Sequence, residues 1–183
     1  MKKLLAVLPL ALCASGAFAD PAHQPELLAH QNDTVVHWNS IVGVITAQGV
    51  NNPIGDPGNL DSGTFAWSAR SGHAMVDLST GAMFFEVDGL VINGTVFSGT
   101  PGPVSAVTGA LVCNPGGGAA QKVFDTYPVS LSAQGDARFL GQLAGVPTTC
   151  NNPLFLIRIN TPAAAVGRWI ATGAERFFGD DSN

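Results

Sequence analysis

Two cysteines beyond the N-terminal segment, Cys113 and Cys150, can pair, remain thiols or ligate a metal. No CxxC spacing and no nearby histidine accompany them, which serves a zinc site poorly. Their even count favours a disulfide in an oxidising compartment. The segment from Gln48 to Asp61 offers a different chemistry. Asn51, Asn52, Asp56, Asn59 and Asp61 present side-chain oxygens there, and calcium accepts carboxylate, amide and carbonyl oxygens alike. The spacing is not that of an EF-hand, and Asn, Asp, Gly and Pro are also the residues that turns require. Calcium is the one cofactor the sequence suggests.

His73, Glu86 and Asp88 fall on neighbouring strands of an expected hairpin. A histidine facing a carboxylate can exchange protons, or form an ordinary solvent-facing cross-strand pair. Arg158 stands inside the apolar run Leu154-Phe155-Leu156-Ile157-Arg158-Ile159. A cation among such neighbours needs a partner if buried. Asp125, Asp136 and Glu86 are candidates, and a ligand carboxylate is the alternative. His73, Glu86, Asp88 and Arg158 therefore form a candidate ligand site. Serine hydrolase chemistry has little support: there is no Gly-x-Ser-x-Gly, and Ser68 and Ser71 stand in a plain strand-to-turn setting. Trp38, Trp67 and Trp169 can stack on a sugar if exposed, or fill the core if their strands turn them inward. His23, His30 and His37 recur at constant spacing, but a helix through Pro25 and β-branched Val35-Val36 is disfavoured.

The chain that must position these groups has 183 residues, 46% of them apolar and 11% charged. That balance excludes a disordered chain. Gly 22 and Pro 12 exclude a helical bundle. A net charge of -5 leaves no basic face for nucleic acid. Met1-Lys2-Lys3, the apolar run to Phe18 and Ala17-Phe18-Ala19 before Asp20 read as a signal peptide over residues 1–19. The run is too short and wrongly flanked for a membrane span. Leu12 before Cys13 departs from the small residue of a lipoprotein signal. The mature protein is expected in the periplasm or the medium, with no transmembrane segment.

Residues 20–33, with Pro21 and Pro25, read as a flexible N-terminus. A β-domain over 34–173 and a tail over 174–183 follow. Val35 to Ala47 predicts one long strand with a bulge at Gly43. Residues 48–61 are almost entirely turn chemistry and are expected to be the longest irregular segment of the domain and among its most mobile. Phe65, Trp67 and Ala69, then Ala74, Val76 and Leu78, alternate with more polar residues as half-buried strands do. Ser79-Thr80-Gly81 turns the chain into a partner strand over Met83–Leu90. Asn93-Gly94 between Val91-Ile92 and Thr95-Val96-Phe97 predicts a second hairpin. Further strands are expected at Val104–Cys113, Lys122–Leu131, Ala137–Leu143, Leu154–Asn160 and Arg168–Thr172. Single helical turns are expected at Leu27–His30 and Ala174–Phe178. The pattern predicts an all-β, antiparallel two-sheet sandwich, with a barrel as the alternative, in one domain.

The run Gly72-x-Ala74-x-x-Asp77-x-x-Thr80-Gly81, followed by Phe85-x-Val87-x-Gly89-Leu90, resembles the early hairpin of CHRD-type secreted β-domains. Where that family's His-x-His segment would follow, Ile92-Asn-Gly-Thr-Val-Phe97 stands instead, and no functional residue carries over. Gly109-x-Leu-Val-Cys113, Gly135-Asp-Ala137, Leu154-Phe-Leu-Ile-Arg-Ile159 and Arg168-Trp-Ile-Ala171 resemble the second half of uncharacterised secreted bacterial all-β proteins. The reading is an exported, non-enzymatic β-domain with a binding or structural role, its partner a carbohydrate or a protein. A small secreted hydrolase or a carbohydrate-binding module is the alternative.

Overall fold

A computed structural model describes residues 34–55, 60–160 and 166–179. The strands are β1 (Val35–Gly43), β2 (Ala66–Ser68), β3 (Ser71–Asp77), β4 (Ala82–Asp88), β5 (Val91–Asn93) and β6 (Ala106–Cys113). They continue with β7 (Lys122–Asp125), β8 (Val129–Ser130), β9 (Ala137–Gln142), β10 (Leu154–Asn160) and β11 (Val166–Phe178). The main sheet is antiparallel, in the order β7-β6-β10-β11-β1-β3-β4-β9, with β8 also paired to β6. β2 and β5 form a small second sheet. The protein is thus all-β and one domain, with two very unequal sheets. The main sheet curls into a half-barrel and brings β8, on the β6 side, beside β9 at the far edge. Much of the core is therefore one sheet packing on itself. Among the described residues no helix is long and apolar enough to cross a membrane.

Curling turns one face of each strand inward, and the sequence alternation follows it. Met83, Phe85 and Val87 of β4 are buried while Phe84 and Glu86 are less so. Phe85 meets Phe155 of β10 with ring centroids 5.5 Å apart, although β3, β1 and β11 separate their strands in the sheet. Phe139 of β9 stacks on Phe85 at 5.9 Å, and Trp38 of β1 approaches Phe155 at 5.8 Å. Burying each ring stabilises the fold by about 1.5–3 kcal/mol. Two glycines leave room for them. A Cβ at Gly109 would lie 2.6 Å from Phe85, and one at Gly173 2.6 Å from the Trp38 indole.

Several strands depart from simple alternation. In β1 the buried residues change phase between Trp38 and Ile41. Opposite this point Glu175 of β11 takes a φ of 54°. The β10–β11 ladder shifts register on either side of Arg158, a bulge that re-aims side chains. Phe155, Leu156 and Ile157 are buried in succession, as is the run from Val107 to Cys113 in β6.

The expected long first strand stops at Gly43, where the missing Cβ leaves room for the Trp67 carbonyl of β2 to approach the backbone. Val44 still donates to Ile170 and accepts from Trp67. The strand expected over Lys122–Leu131 divides into β7 and β8 around Tyr127-Pro128, since proline has no N–H for a ladder. The second hairpin does not form. Ser98 Oγ accepts from Thr95 N and donates to the Thr95 carbonyl instead, a local alternative to a returning strand. Val96 is left 95% exposed, and Ile92 exchanges hydrogen bonds with Gly99 and Thr100. Residues 174–178, expected to be a helical turn in a tail, extend β11 and pair with β1 down to Val36↔Phe178. The expectations for residues 1–19 and 20–33, and for Leu27–His30, lie outside the described residues.

Candidate functional site

Cys113 ends β6 and Cys150 lies in the loop before β10. They form a disulfide with Cα atoms 5.0 Å apart, inside the ordinary range. The bridge ties the middle of the chain to the β10–β11 hairpin.

The histidine–carboxylate cluster forms only in part. His73 stands directly across from Glu86, and Ser71 across from Asp88. The His73 ring tilts against Phe84 at 5.1 Å. Glu86 faces Arg138 of β9 at 3.9 Å, with 38% and 67% of the side chains exposed, so this pair adds well under about 1 kcal/mol. Asp88 accepts a hydrogen bond from Ser71 Oγ at 2.8 Å. Glu86 and Asp88 line a shallow depression with Asp136 and Arg138. Arg158 does not join them. Its Nη1 donates to both Asp125 carboxylate oxygens at 2.9 and 3.0 Å, and its Nε to the Gly167 carbonyl at 3.1 Å. Of the three partners considered for Arg158, Asp125 is the one that meets it, and β11 and β1 separate β10 from β3. Asp77, at the β3–β4 turn, accepts from Ser79 Oγ at 2.7 Å, Ser79 N at 2.8 Å and Thr80 Oγ1 at 2.8 Å. These bonds, those from Ser79 foremost, hold its carboxyl below the usual carboxylate range. It fixes the turn, with Gly81 at a φ of 74° beside it.

The Asx-rich segment is tied into the barrel by its described ends. Pro53 bridges Asp61, Ile54 donates to Leu60, and Ser62 donates to Asn52. Asn52 Nδ2 donates to the Ile45 carbonyl, and Asn51 Oδ1 accepts from Arg168 Nη1. A guanidinium on Asn51 occupies an oxygen that a calcium site would use and adds repulsion to a second cation. Asp56 and Asn59 lie outside the described residues.

The tryptophans do not form a sugar platform. Trp38, Trp67 and Trp169 are 1%, 4% and 7% exposed, because each lies on the inward phase of its strand. Trp169 Nε1 donates to the Asn52 and Leu60 carbonyls at 3.1 and 3.2 Å, closing the loop against β11. His37 is on β1, stacked at 5.1 Å on Phe177, while His23 and His30 lie outside the described residues.

A cavity of about 210 Å³ opens where the small sheet meets the ends of β6, β10 and β11. Phe65, Trp67, Ile92, Phe97, Val104 and Ile159 give it an apolar lining, with Thr64 and Arg168 as its polar side chains. Arg168 is placed by β11. Its neighbour Trp169 pairs with the 61–63 segment, with Gly63 N donating to the Trp169 carbonyl at 2.7 Å and Trp169 N to that of Asp61 at 3.1 Å. Arg168 Nη1 donates to Asn51 Oδ1 and, at 3.3 Å, to the Ser62 carbonyl. Sequence reasoning missed this site. The signal was the one applied to Arg158, a charge inside an apolar strand, here Val166-Gly-Arg-Trp-Ile-Ala171. What defines the class is an all-β half-barrel with one disulfide and an apolar cavity beneath its small sheet. No protein-family model, no curated protein and no solved structure matches the chain.

Proposed function

We propose that this chain is an exported, non-enzymatic binding module whose ligand is a small apolar molecule. The carrying observation is the cavity between the small sheet and the main sheet, with its apolar lining. Small-molecule sites are concave, largely apolar and furnished with a few placed polar groups. A cavity of about 150 Å³ accepts benzene, so this one has room for a single ring or a short alkyl chain. By contrast, His73, Glu86 and Asp88 lie on an open sheet face. The leader-like residues 1–19 and the Cys113–Cys150 bridge support export, since disulfides persist in oxidising compartments.

Two measurements test the reading. Mass spectrometry of the exported protein should find Asp20 as the N-terminus and no free thiol. Small apolar probes such as indole or benzene should raise the melting temperature in a concentration-dependent way and shift nuclear magnetic resonances of Phe65, Trp67 and Ile92. If millimolar probe moves neither, the cavity is only a packing void and the reading fails.

A further inference from the structure

We infer that Arg168 makes this cavity selective for small apolar monoanions, specifically aromatic or short-chain carboxylates. The inference rests on the reading of the cavity as a binding site and adds the chemical class of its ligand.

Three arginines of the described structure face carboxylates. Arg70 faces Asp136, Arg138 faces Glu86 and Arg158 is bonded to Asp125. Arg176 and Arg168 are held differently: Arg176 donates to the Pro153 carbonyl and lies over the Phe178 ring, whereas Arg168 is the one of the two that lines this cavity. Both acceptors on its Nη1 are uncharged, the Asn51 amide oxygen and the Ser62 carbonyl. Among the described residues no carboxylate neutralises it, and its Nε and Nη2 have no acceptor. These two nitrogens form one edge of the planar fork that matches a carboxylate in bidentate fashion. The fork is already oriented from its other side, so little side-chain freedom is lost on binding.

The second observation is where this cation stands. It is part of the lining of a cavity whose other side chains are almost all apolar. A ligand that fills the cavity with a ring or alkyl chain brings its head group to the rim, where Arg168 is. Next to low-dielectric walls, a charge-assisted bond is stronger than in open water. Trp67, also in the lining, adds an indole N–H near the same wall. Its Nε1 lies 3.6 Å from where a Cβ of Gly63 would be. Among the described residues this N–H has no hydrogen-bond acceptor, so it can donate to a carboxylate oxygen.

The test uses the full mature protein and a matched pair of ligands, benzoate and benzyl alcohol, which share a ring and differ in charge. Titration calorimetry at neutral pH should show benzoate binding about tenfold or more tightly than the alcohol. Arg168→Gln, which keeps a donor for Asn51, should bring the two affinities within about twofold while leaving alcohol binding in place. Arg168→Lys should retain part of the preference, because the charge remains and the fork is lost. Lowering the pH from about 7 to about 3 protonates benzoate, whose carboxyl has an ordinary pKa near 4. The preference should then vanish in the unaltered protein, a readout that needs no variant to fold. Equal binding of both ligands by the parent protein overturns the inference while leaving the cavity reading intact. A benzoate preference that survives in Arg168→Gln overturns it too. If neither ligand binds, the reading of the cavity itself falls.

Discussion

Gly109→Ala tests whether the curled sheet packs across its own interior. Gly109 lies in the extended β6 and is not among the glycines with positive φ, so alanine can adopt its backbone. At such a site the smaller entropy of the unfolded chain makes alanine stabilising, by about 0.4–1 kcal/mol. The interior reverses that sign. The new methyl would stand 2.6 Å from Phe85 Cε1, 2.8 Å from Phe85 Cδ1 and 3.2 Å from Phe155 Cε2. Phe85 is fully buried and wedged between Phe139 and Phe155, so its ring has no free side to move into. Overpacking of this kind costs about 1–3 kcal/mol, and a mid-range cost of about 2 kcal/mol leaves a net loss of about 1–2 kcal/mol. Urea unfolding should show a lower midpoint with an unchanged slope. In the Phe85→Leu background the clashing ring is gone, and the same substitution should be neutral or stabilising. The two sites would then be coupled by about 1–2 kcal/mol. A Gly109→Ala protein as stable as its parent, or an equal loss in both backgrounds, would refute the across-barrel packing.

Two further outcomes follow from the described geometry. The Cys113–Cys150 bridge spans 37 positions, and loop entropy assigns such a cross-link about 4 kcal/mol. Cys113→Ala/Cys150→Ala should lower the unfolding free energy by most of that, and a loss below about 0.5 kcal/mol would remove the bridge as a structural element. Asp77 has its carboxyl pKa lowered by bonds from Ser79 and Thr80, so it contributes stability above the unfolded pKa, near 3.9. That contribution is lost as pH falls through the folded value. Asp77→Asn should therefore be less stable than the parent at neutral pH, with the gap closing as pH falls below the unfolded value and through the lowered folded one. A gap independent of pH would show that the carboxylate charge plays no part in the turn.

What the sequence determined by itself is local. Period-two alternation in Ala74–Leu78 and Met83–Val87 marks strands with one buried face, because a pleat sends successive side chains to opposite sides. Gly81 marks the β3–β4 turn, where a positive φ favours the one residue without a Cβ. With Cys113 and Cys150 the only cysteines past the leader-like segment, the pairing has a single solution. Local chemistry misled where tertiary partners prevailed. Asn93-Gly94 has the composition of a hairpin, yet β5 takes β2 as its partner, and the 95–98 segment closes on itself. Ala174–Phe178 carries no strand signature, but β1 needs a neighbour for its backbone groups and finds it there. Only the tertiary structure decided that Arg158 meets Asp125, that Asn51 holds a guanidinium, and that all three tryptophans face inward. The Arg168 cavity belongs to the same class. Its lining comes from segments as distant as Phe65 and Arg168, and the curl of the sheet, a property of no single segment, sets which of them converge.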